Sequence, residues 1–453
     1  MVKKSARQIA FEVLQAVDRG AYADVALHRG LHRELRSRLD SRDRSLITEL
    51  VYGSVRRQRT LDALIDSLGK KKAHQQPLPL KLLLRLGLYQ LRYLDSIPPS
   101  AAVNTTVELA KANGQGKLSG VVNGILRQYL RRSESGDPLH LPADPVASLG
   151  VRYSFPDWIV RVWLEQIGAA ATADLCDWFN RPPYLDLRIN PLQTDRTTVG
   201  NALKAVNIPC EPIPLAPAGI RLLEHVGDLT RLPGYPEGWW TIQDASAQLV
   251  GQLLNPQPGQ TVIDACAAPG GKATHLAELM QDTGTVWACD LPGKHKSISP
   301  RLQKVIDNAQ RLRLNSIKPS PGDSRNRPDL HGQADCVLVD APCSGLGTLH
   351  RHADARWRQT PDSIHRLSQL QLELLMEAAR WLKPGGRLVY ATCTLHPQEN
   401  QDVIKKFLAR HQNWHPLPLP ELLRPLSSAE NWLSIWPQAH DMDGFFMVAL
   451  GAA

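Results

Sequence analysis

The chain has no Cys-x-x-Cys pair, and its seven cysteines are an odd set scattered along 453 residues: Cys176, Cys210, Cys266, Cys289, Cys336, Cys343 and Cys393. That scatter argues against a disulfide framework and against a structural zinc site, whose ligands come in close pairs. His350 and His352 near Cys343 fit an exposed basic loop, and no metal is expected. Long apolar runs are missing as well. Nothing approaches the roughly 20 residues of a membrane span, and the opening MVKKSARQIAFEVL lacks the unbroken apolar core of a signal peptide. The expected location is the cytoplasm, with no membrane partner. Two nucleotide signatures are also absent. There is no GxGxxG, and in CAAPGGKA the first position of a phosphate loop is Cys266, while Ala273 follows Lys272.

What is present is an ordinary globular composition, 43% hydrophobic and 21% charged, in a chain too long for one core. The net charge of +9 is unevenly placed. Residues 1–140 hold 24 Lys and Arg against 13 Asp and Glu, whereas the remainder holds 29 against 31. A basic first third suits a polyanion, although a merely soluble surface would look the same.

Residues 1–140 form an expected helical domain. Ile9, Val13 and Val17 recur at helical spacing, as do Leu46, Leu50 and Val51, then Leu61, Leu64, Ile65 and Leu68. LPLKLLLRLGLYQLRYL is apolar nearly all round, as a central bundle helix would be. The prolines of IPPS stop that helix, and Ser100 is expected to cap the next. SESGDPLHLPADP is a linker. Residues 141–235 comprise this linker and a small mixed region in which FPDWIVRVWLEQIG is expected as a capped helix and YLDLRIN as a strand.

From residue 236 the pattern alternates. TVIDACA, TVWACD, CVLVDAP and RLVYATC are short β-branched runs that end in small or polar residues, with helical stretches between them. Such alternation predicts a parallel sheet covered by helices, with ligands at the carboxyl ends of its strands. Gly270 and Gly271 open a helix at one such end, where backbone can approach a ligand. Asp290 ends the next strand, about twenty residues on, where a carboxylate can accept ribose hydroxyls. Asp323 follows the third strand region and could receive an adenine amino group; for both acids, ordinary turn chemistry is the alternative. Nucleoside binding without a phosphate cradle points to S-adenosylmethionine. Cys343 and Cys393 both follow strands at this edge, and either could be a reactive thiol or a small buried hydrophobe.

DACAAPGGK, DAPCSGLG and YATCTLHPQEN, in this order, resemble the signature of the RNA cytosine-5 methyltransferases of the NOL1/NOP2/Sun family. ARQIAFEVL through VVNGILRQYL resembles the NusB family of RNA-binding helical domains. Together these resemblances imply a multidomain protein: an all-α NusB-like domain, a small α+β region, then an α/β Rossmann-like class I methyltransferase domain. They imply S-adenosylmethionine as cofactor, held by Cys266, Ala267, Ala268, Pro269, Gly270, Gly271 and Lys272 together with Asp290, Asp323 and Asp340. They imply 16S ribosomal RNA as partner, free or in an early small-subunit assembly. Transfer RNA is the alternative of the same class, and a non-catalytic assembly factor the alternative of a different one.

Carbon 5 of cytosine attacks a methyl sulfonium only after a thiolate has added at carbon 6, and a base must later remove the carbon 5 proton. The resemblance assigns the nucleophile to Cys393 and the release step to Cys343, with Asp340 beside the ring and Lys272 beside the pocket. Arg7, Arg42, Arg44, Arg56, Arg57 and Arg59 are candidate phosphate contacts, as is Arg188 in the middle region. LHRHADARWRQ is a charged surface loop, or, by the resemblance, part of an RNA cleft. LPGKHKSISPRLQKV after Asp290 departs from the family, which continues more directly into a helix.

Overall fold

The computed structural model describes residues 4–33, 39–224, 226–294, 297–426 and 428–453; His295 and Lys296 of the loop after Asp290 lie outside them. The chain divides into two compact units. The first runs up to Arg181 and also takes in Leu349–Arg358, and the second takes Pro182–Thr348 and Gln359–Ala453. Among the described residues no helix is long and apolar enough to cross a membrane.

The first unit is helical. Its hub is the helix Leu78–Tyr93, where Leu80, Leu83, Leu84, Leu86 and Leu88 are at most 1% exposed. An all-round apolar surface suits this place, because five other helices close around it: Ala6–Asp18, Ser41–Arg56, Gln58–Leu68, Pro99–Ala112 and Ser119–Ser133. Ser100 does not cap its helix as expected. The helix begins at Pro99 with Pro98 in the cap position, since proline fits a first turn whose amide lacks a partner anyway. Nor does a side chain cap Asp157–Trp178, which starts after Pro156 and breaks at Gly168. In the linker, Arg92 grips Asp137 through two bonds of 2.8 Å, and Asp144 caps the helix Pro145–Tyr153 through the Ala147 amide.

The expectation of a surface loop at LHRHADARWR is overturned. Arg356 is fully buried. Its guanidinium donates to the carbonyls of Ser154, Phe179 and Leu349 and to Asn180 Oδ1, and lies 3.9 Å over the Phe155 ring. Ser154 and Phe179 close the helices Pro145–Tyr153 and Asp157–Trp178. Trp357 Nε1 donates to Val55 O at 2.8 Å near the end of Ser41–Arg56, and Arg358 donates to the Gly20 and Ala21 carbonyls beyond Ala6–Asp18. Asp354 instead accepts from the Ala23 amide, at the start of Ala23–Arg33. The segment is charged because it serves helix ends: cations where carbonyls are orphaned and an anion where amides are.

The second unit carries two sheets. The small one has β1 (Leu185–Ile189), β2 (Cys210–Pro212), β3 (Gly219–Leu222) and β4 (Trp240–Ile242) in the antiparallel order β2-β3-β1-β4, backed by the helix Arg196–Ala205. The large one adds β5 (Thr261–Asp264), β6 (Thr285–Asp290), β7 (Ile317–Pro321), β8 (Ala334–Asp340), β9 (Leu382–Thr392), β10 (Trp414–Pro416), β11 (Trp432–Ile435) and β12 (Phe445–Ala452). Its order is β10-β12-β9-β8-β5-β6-β7, with β11 also on β12. The five strands from β9 to β7 are parallel, and β12 runs against β9. The expected architecture therefore holds: an all-helical part, a small α+β region and a Rossmann-like α/β domain. Strand order reverses between β5 and β8, the position in such sheets where loops diverge and ligands bind.

Replacing Arg356 by alanine strips donors from four buried oxygens and should lower the stability of the helical unit by about 3 kcal/mol. Lysine should recover only part, lacking the forked guanidinium. Urea denaturation of the three proteins checks this; an unchanged midpoint for the alanine variant refutes it.

Candidate active site

The loop after β5 is shaped by one glycine. Gly270 has φ 109° and caps the helix Gly271–Leu279; a Cβ there would lie 3.0 Å from the Val305 backbone. The loop is pinned on both flanks. Ala267 N donates to Cys289 O at 2.8 Å, and Ala268 N to Asp290 Oδ2 at 3.1 Å. Cys266 is largely buried and its thiol is pushed up by burial and by Asp264, Asp340 and Asp290, whereas Pro269 is exposed. Gly271 meets only Gln243 Nε2, 3.7 Å from where a Cβ would stand.

Arg188, expected to face RNA, is fully buried beneath this loop. It donates twice to Glu278 at 2.8 Å, to Gly271 O at 2.6 Å, to Thr274 Oγ1 at 3.0 Å, and to Gln243. The strand β1 thus braces the first turn of the glycine-loop helix, and no guanidinium face is left for a phosphate. Burial raises the Glu278 carboxyl, opposed by Arg188. In the helical unit Arg56 is likewise an internal group, buried and bonded to His350 O at 2.9 Å. Arg59 is held by Asp157 at 2.7 Å and by Phe155 O. Arg7 donates to Gln90 at 2.6 Å and Arg57 lies 4.8 Å over Tyr93. Arg42 is exposed and Arg44 half-buried. His350 lies 4.4 Å from the Trp178 ring. Among the described residues no group of three His, Cys, Asp or Glu is placed to hold a metal ion.

The two other acids expected at the cofactor differ. Asp290 closes β6, is 5% exposed, and accepts from the Ala268 and Leu291 amides, with Arg301 3.3 Å away. Asp323 sits in the turn after β7. Its neighbours bond towards the crevice, Gly322 N to Asp290 O and Ser324 Oγ to Ala265 O, but its half-exposed carboxylate is taken by Arg325 at 2.6 Å. One acid escaped the sequence argument. Asp264, the last residue of β5, is fully buried, and its Oδ2 has no hydrogen-bond partner among the described residues. Burial and the nearby Asp340 push its carboxyl up to about 8.

At the ends of β8 and β9 the reactive candidates converge. Asp340 meets Lys272 Nζ at 2.8 Å. Burial alone would lower the Lys272 ammonium, but Asp340 and the Cys393 sulfur outweigh it and hold it charged. The sulfurs of Cys343 and Cys393 are 3.3 Å apart and unbonded. The contact with Cys393, then burial, then the charge of Glu399 push the Cys343 thiol well above its ordinary range. The two loops run side by side because Gly347 N donates to Cys393 O at 3.0 Å; a Cβ on Gly347 would lie 2.9 Å from that oxygen and 2.0 Å from Gly444 O.

Below the sulfurs lies a second group missed in the sequence. Glu399, fully buried, accepts from Ser344 N at 2.9 Å, Ser344 Oγ at 2.5 Å, Gln371 Nε2 at 3.0 Å and Thr394 Oγ1 at 3.2 Å. Asn400 accepts from Thr392 Oγ1 at 2.6 Å and donates to Thr394 O at 2.9 Å. A Glu-Asn pair shortly after a strand-end thiol was the available signal, within the quoted TLHPQEN.

Comparison with known proteins agrees in outline. Residues 251–451 match the family model of 16S rRNA methyltransferase RsmB/F, residues 4–131 the NusB family, and residues 155–227 an RsmF/B-like ferredoxin-like domain. A probable ribosomal RNA small subunit methyltransferase B of Synechocystis sp. is 49% identical over 99% of this chain and 100% of its own. A probable ribosomal RNA small subunit methyltransferase B of Bacillus subtilis is 36% identical over 99% of each. The crystal structure of a methyltransferase homologue from Pyrococcus horikoshii is 27% identical, with a TM-score of 0.59 over 69% of this chain and 100% of its own.

The raised Asp264 carboxyl sets a pH dependence. Because the folded state keeps this proton from the ordinary carboxylate range near 3.8 up to about 8, its contribution to stability is full below that window and is lost as pH rises through it. Asp264→Asn should therefore flatten the fall in melting temperature between pH 4 and pH 8. Identical pH profiles for variant and wild type would contradict the assignment.

Proposed function

The chain belongs to the RsmB/F family of 16S ribosomal RNA methyltransferases, and from that membership we propose that it methylates carbon 5 of a cytosine in 16S ribosomal RNA, with S-adenosylmethionine as donor. The observation that carries the cytosine-5 reading is the pair of thiols 3.3 Å apart beside the Lys272–Asp340 ion pair. A single strand-end cysteine would be a packing residue; two in contact, at the edge where such sheets bind ligands, suit a reaction that must both form and break a carbon–sulfur bond.

Electrostatics separates the thiols. A negative sulfur at Cys393 has the Lys272 ammonium for a partner, whereas one at Cys343 faces Glu399. Cys393 is therefore the nucleophile that adds to carbon 6; after methyl transfer Cys343 gives up its own proton to solvent, and its thiolate takes the proton from carbon 5. Expulsion of the Cys393 thiolate then restores the ring. Asp340, held by Lys272, is assigned to share a proton with ring nitrogen 3 and steady the charge that develops on addition. The base must leave its stack to reach this crevice.

The cofactor supplies an electrophilic methyl on sulfur. The residues present fit it: the free space at Gly271, buried Asp290 at the end of β6, and the Asp264 oxygen that has no hydrogen-bond partner among the described residues. Cys266, Ala267, Ala268, Pro269 and Lys272 complete the loop, with Asp323 at the outer rim. The chain is divided in function as residues 1–140 for RNA, 141–235 for RNA and support, and 236–453 for methyl transfer. Location in the cytoplasm follows from the substrate.

The test is methyl transfer from labelled cofactor to small-subunit RNA, with bisulfite mapping to find the base. Cys393→Ala should abolish turnover and leave cofactor binding within about twofold. Cys343→Ala should accumulate an RNA–protein complex that survives denaturant. Full activity without Cys393 removes the nucleophile, and a Cys343 variant that binds RNA but traps none removes the release role.

A further inference from the structure

We propose that Glu399 is the positioning residue that fixes the separation of the two thiols; this rests on the cytosine-5 reading above. One carboxylate collects four donors. Two come from Ser344, which follows Cys343, one from Thr394, which follows Cys393, and one from Gln371. Gln371 lies on the helix Pro361–Ala378 and also donates to Pro342 O at 2.9 Å, on the other side of Cys343. Both cysteine loops therefore hang from one group, and their side chains touch each other as well: Ser344 Oγ and Thr394 Oγ1 are 2.8 Å apart.

The anchor is itself fixed. Glu399 N donates to His396 O, and its carbonyl accepts from the Tyr390 hydroxyl at 2.6 Å. The next residue, Asn400, clasps Thr392 and Thr394 across Cys393. Glu399 is fully buried, so it touches neither base nor cofactor and positions the thiols through Ser344, Thr394 and Gln371. Its charge has a second consequence, because it opposes a thiolate at Cys343. One side chain thus ties both loops and adds, after the contact with Cys393 and burial, to the cost of a thiolate at Cys343.

A reaction that passes a ring between two groups is sensitive to about 1 Å of misplacement, at roughly 100-fold in rate. Glu399→Ala should lower kcat by about that factor while KM for RNA and for cofactor moves less than about threefold. In a Cys343→Ala background, single-turnover formation of the trapped RNA complex should slow comparably, since the Thr394 arm is lost. Glu399→Gln should return to within about tenfold of wild type, because its oxygen can still accept from Ser344 N and Gln371 and its amide can donate to the two hydroxyls. An alanine variant with unchanged kcat overturns the proposal. So does one whose loss appears as weaker cofactor binding and a lower melting temperature, which is a structural role, or a glutamine variant no better than alanine. If the alanine variant does not fold, Thr394→Val removes a single arm, and an unchanged rate of complex formation there overturns the proposal equally. If Cys343→Ala with Glu399 intact binds RNA but traps none, the release role of Cys343 falls, and with it the pairing of thiols that Glu399 is held to set.

Discussion

Two sulfur atoms 3.3 Å apart and unbonded are the constraint around which the second unit is arranged. A sulfur hydrogen bond of this kind is too weak to place two loops by itself; the contact persists because the loops that carry the thiols are held elsewhere. β8 and β9 are adjacent parallel strands, so their ends arrive side by side. Gly347 lets the first loop lie against the Cys393 carbonyl, and a buried carboxylate ties the residues that follow each cysteine. Neither sulfur has to supply its own placement, which leaves both free to react.

The same division of labour recurs around the glycine loop. Catalysis needs backbone there that is open to a ligand, and open backbone is poorly supported by its own contacts. Support comes from outside the loop, through the guanidinium of Arg188 on β1 and its partner Glu278. A buried pair of this kind costs desolvation and adds little net stability, but removing either member would leave a charge stranded inside the protein. It makes the small sheet and the large sheet mechanically one piece where the glycine-loop helix begins. The small α+β region is therefore part of the scaffold of the crevice.

The sequence made most of this architecture legible, since periodicity and strand-end chemistry are local. The apolar helix Leu78–Tyr93, the strands β5, β6, β8 and β9, and the loops at their carboxyl ends could all be placed. What was not legible depended on pairing across long separations. The strand region expected before Asp323 had no bounds: IKPSP contains two prolines, and it forms β7 because it lies at the sheet edge, bonded to β6 alone, where missing amides are tolerated. Arg188 has the pattern of a solvated cation in a polar alternation; only the position of Glu278, 90 residues on, makes it an interior group. Glu399 lay inside a quoted motif, but its role exists only once Ser344 and Gln371 are brought to it.

The fate of the arginines changes how the basic first third of the chain is to be understood. Its charge excess suggested a phosphate-binding surface, and the count alone treats every cation as available. Yet Arg56 and Arg59 are spent on carbonyls and on Asp157, Arg85 is paired with Asp62 at 2.6 Å, and Arg92 is paired with Asp137. Those charges neutralise helix ends and acids within the unit and offer little to an outside polyanion. Among the described residues the exposed cations lie elsewhere, at Lys4, Arg19, Arg29, Arg42, Lys70, Lys71, Lys72, Lys111, Lys117, Arg127, Arg131 and Arg132. Counterion release on RNA binding counts only phosphates that are newly neutralised. The number of ions displaced is thus governed by which of these exposed cations meet a phosphate, and not by the charge of the sequence as a whole.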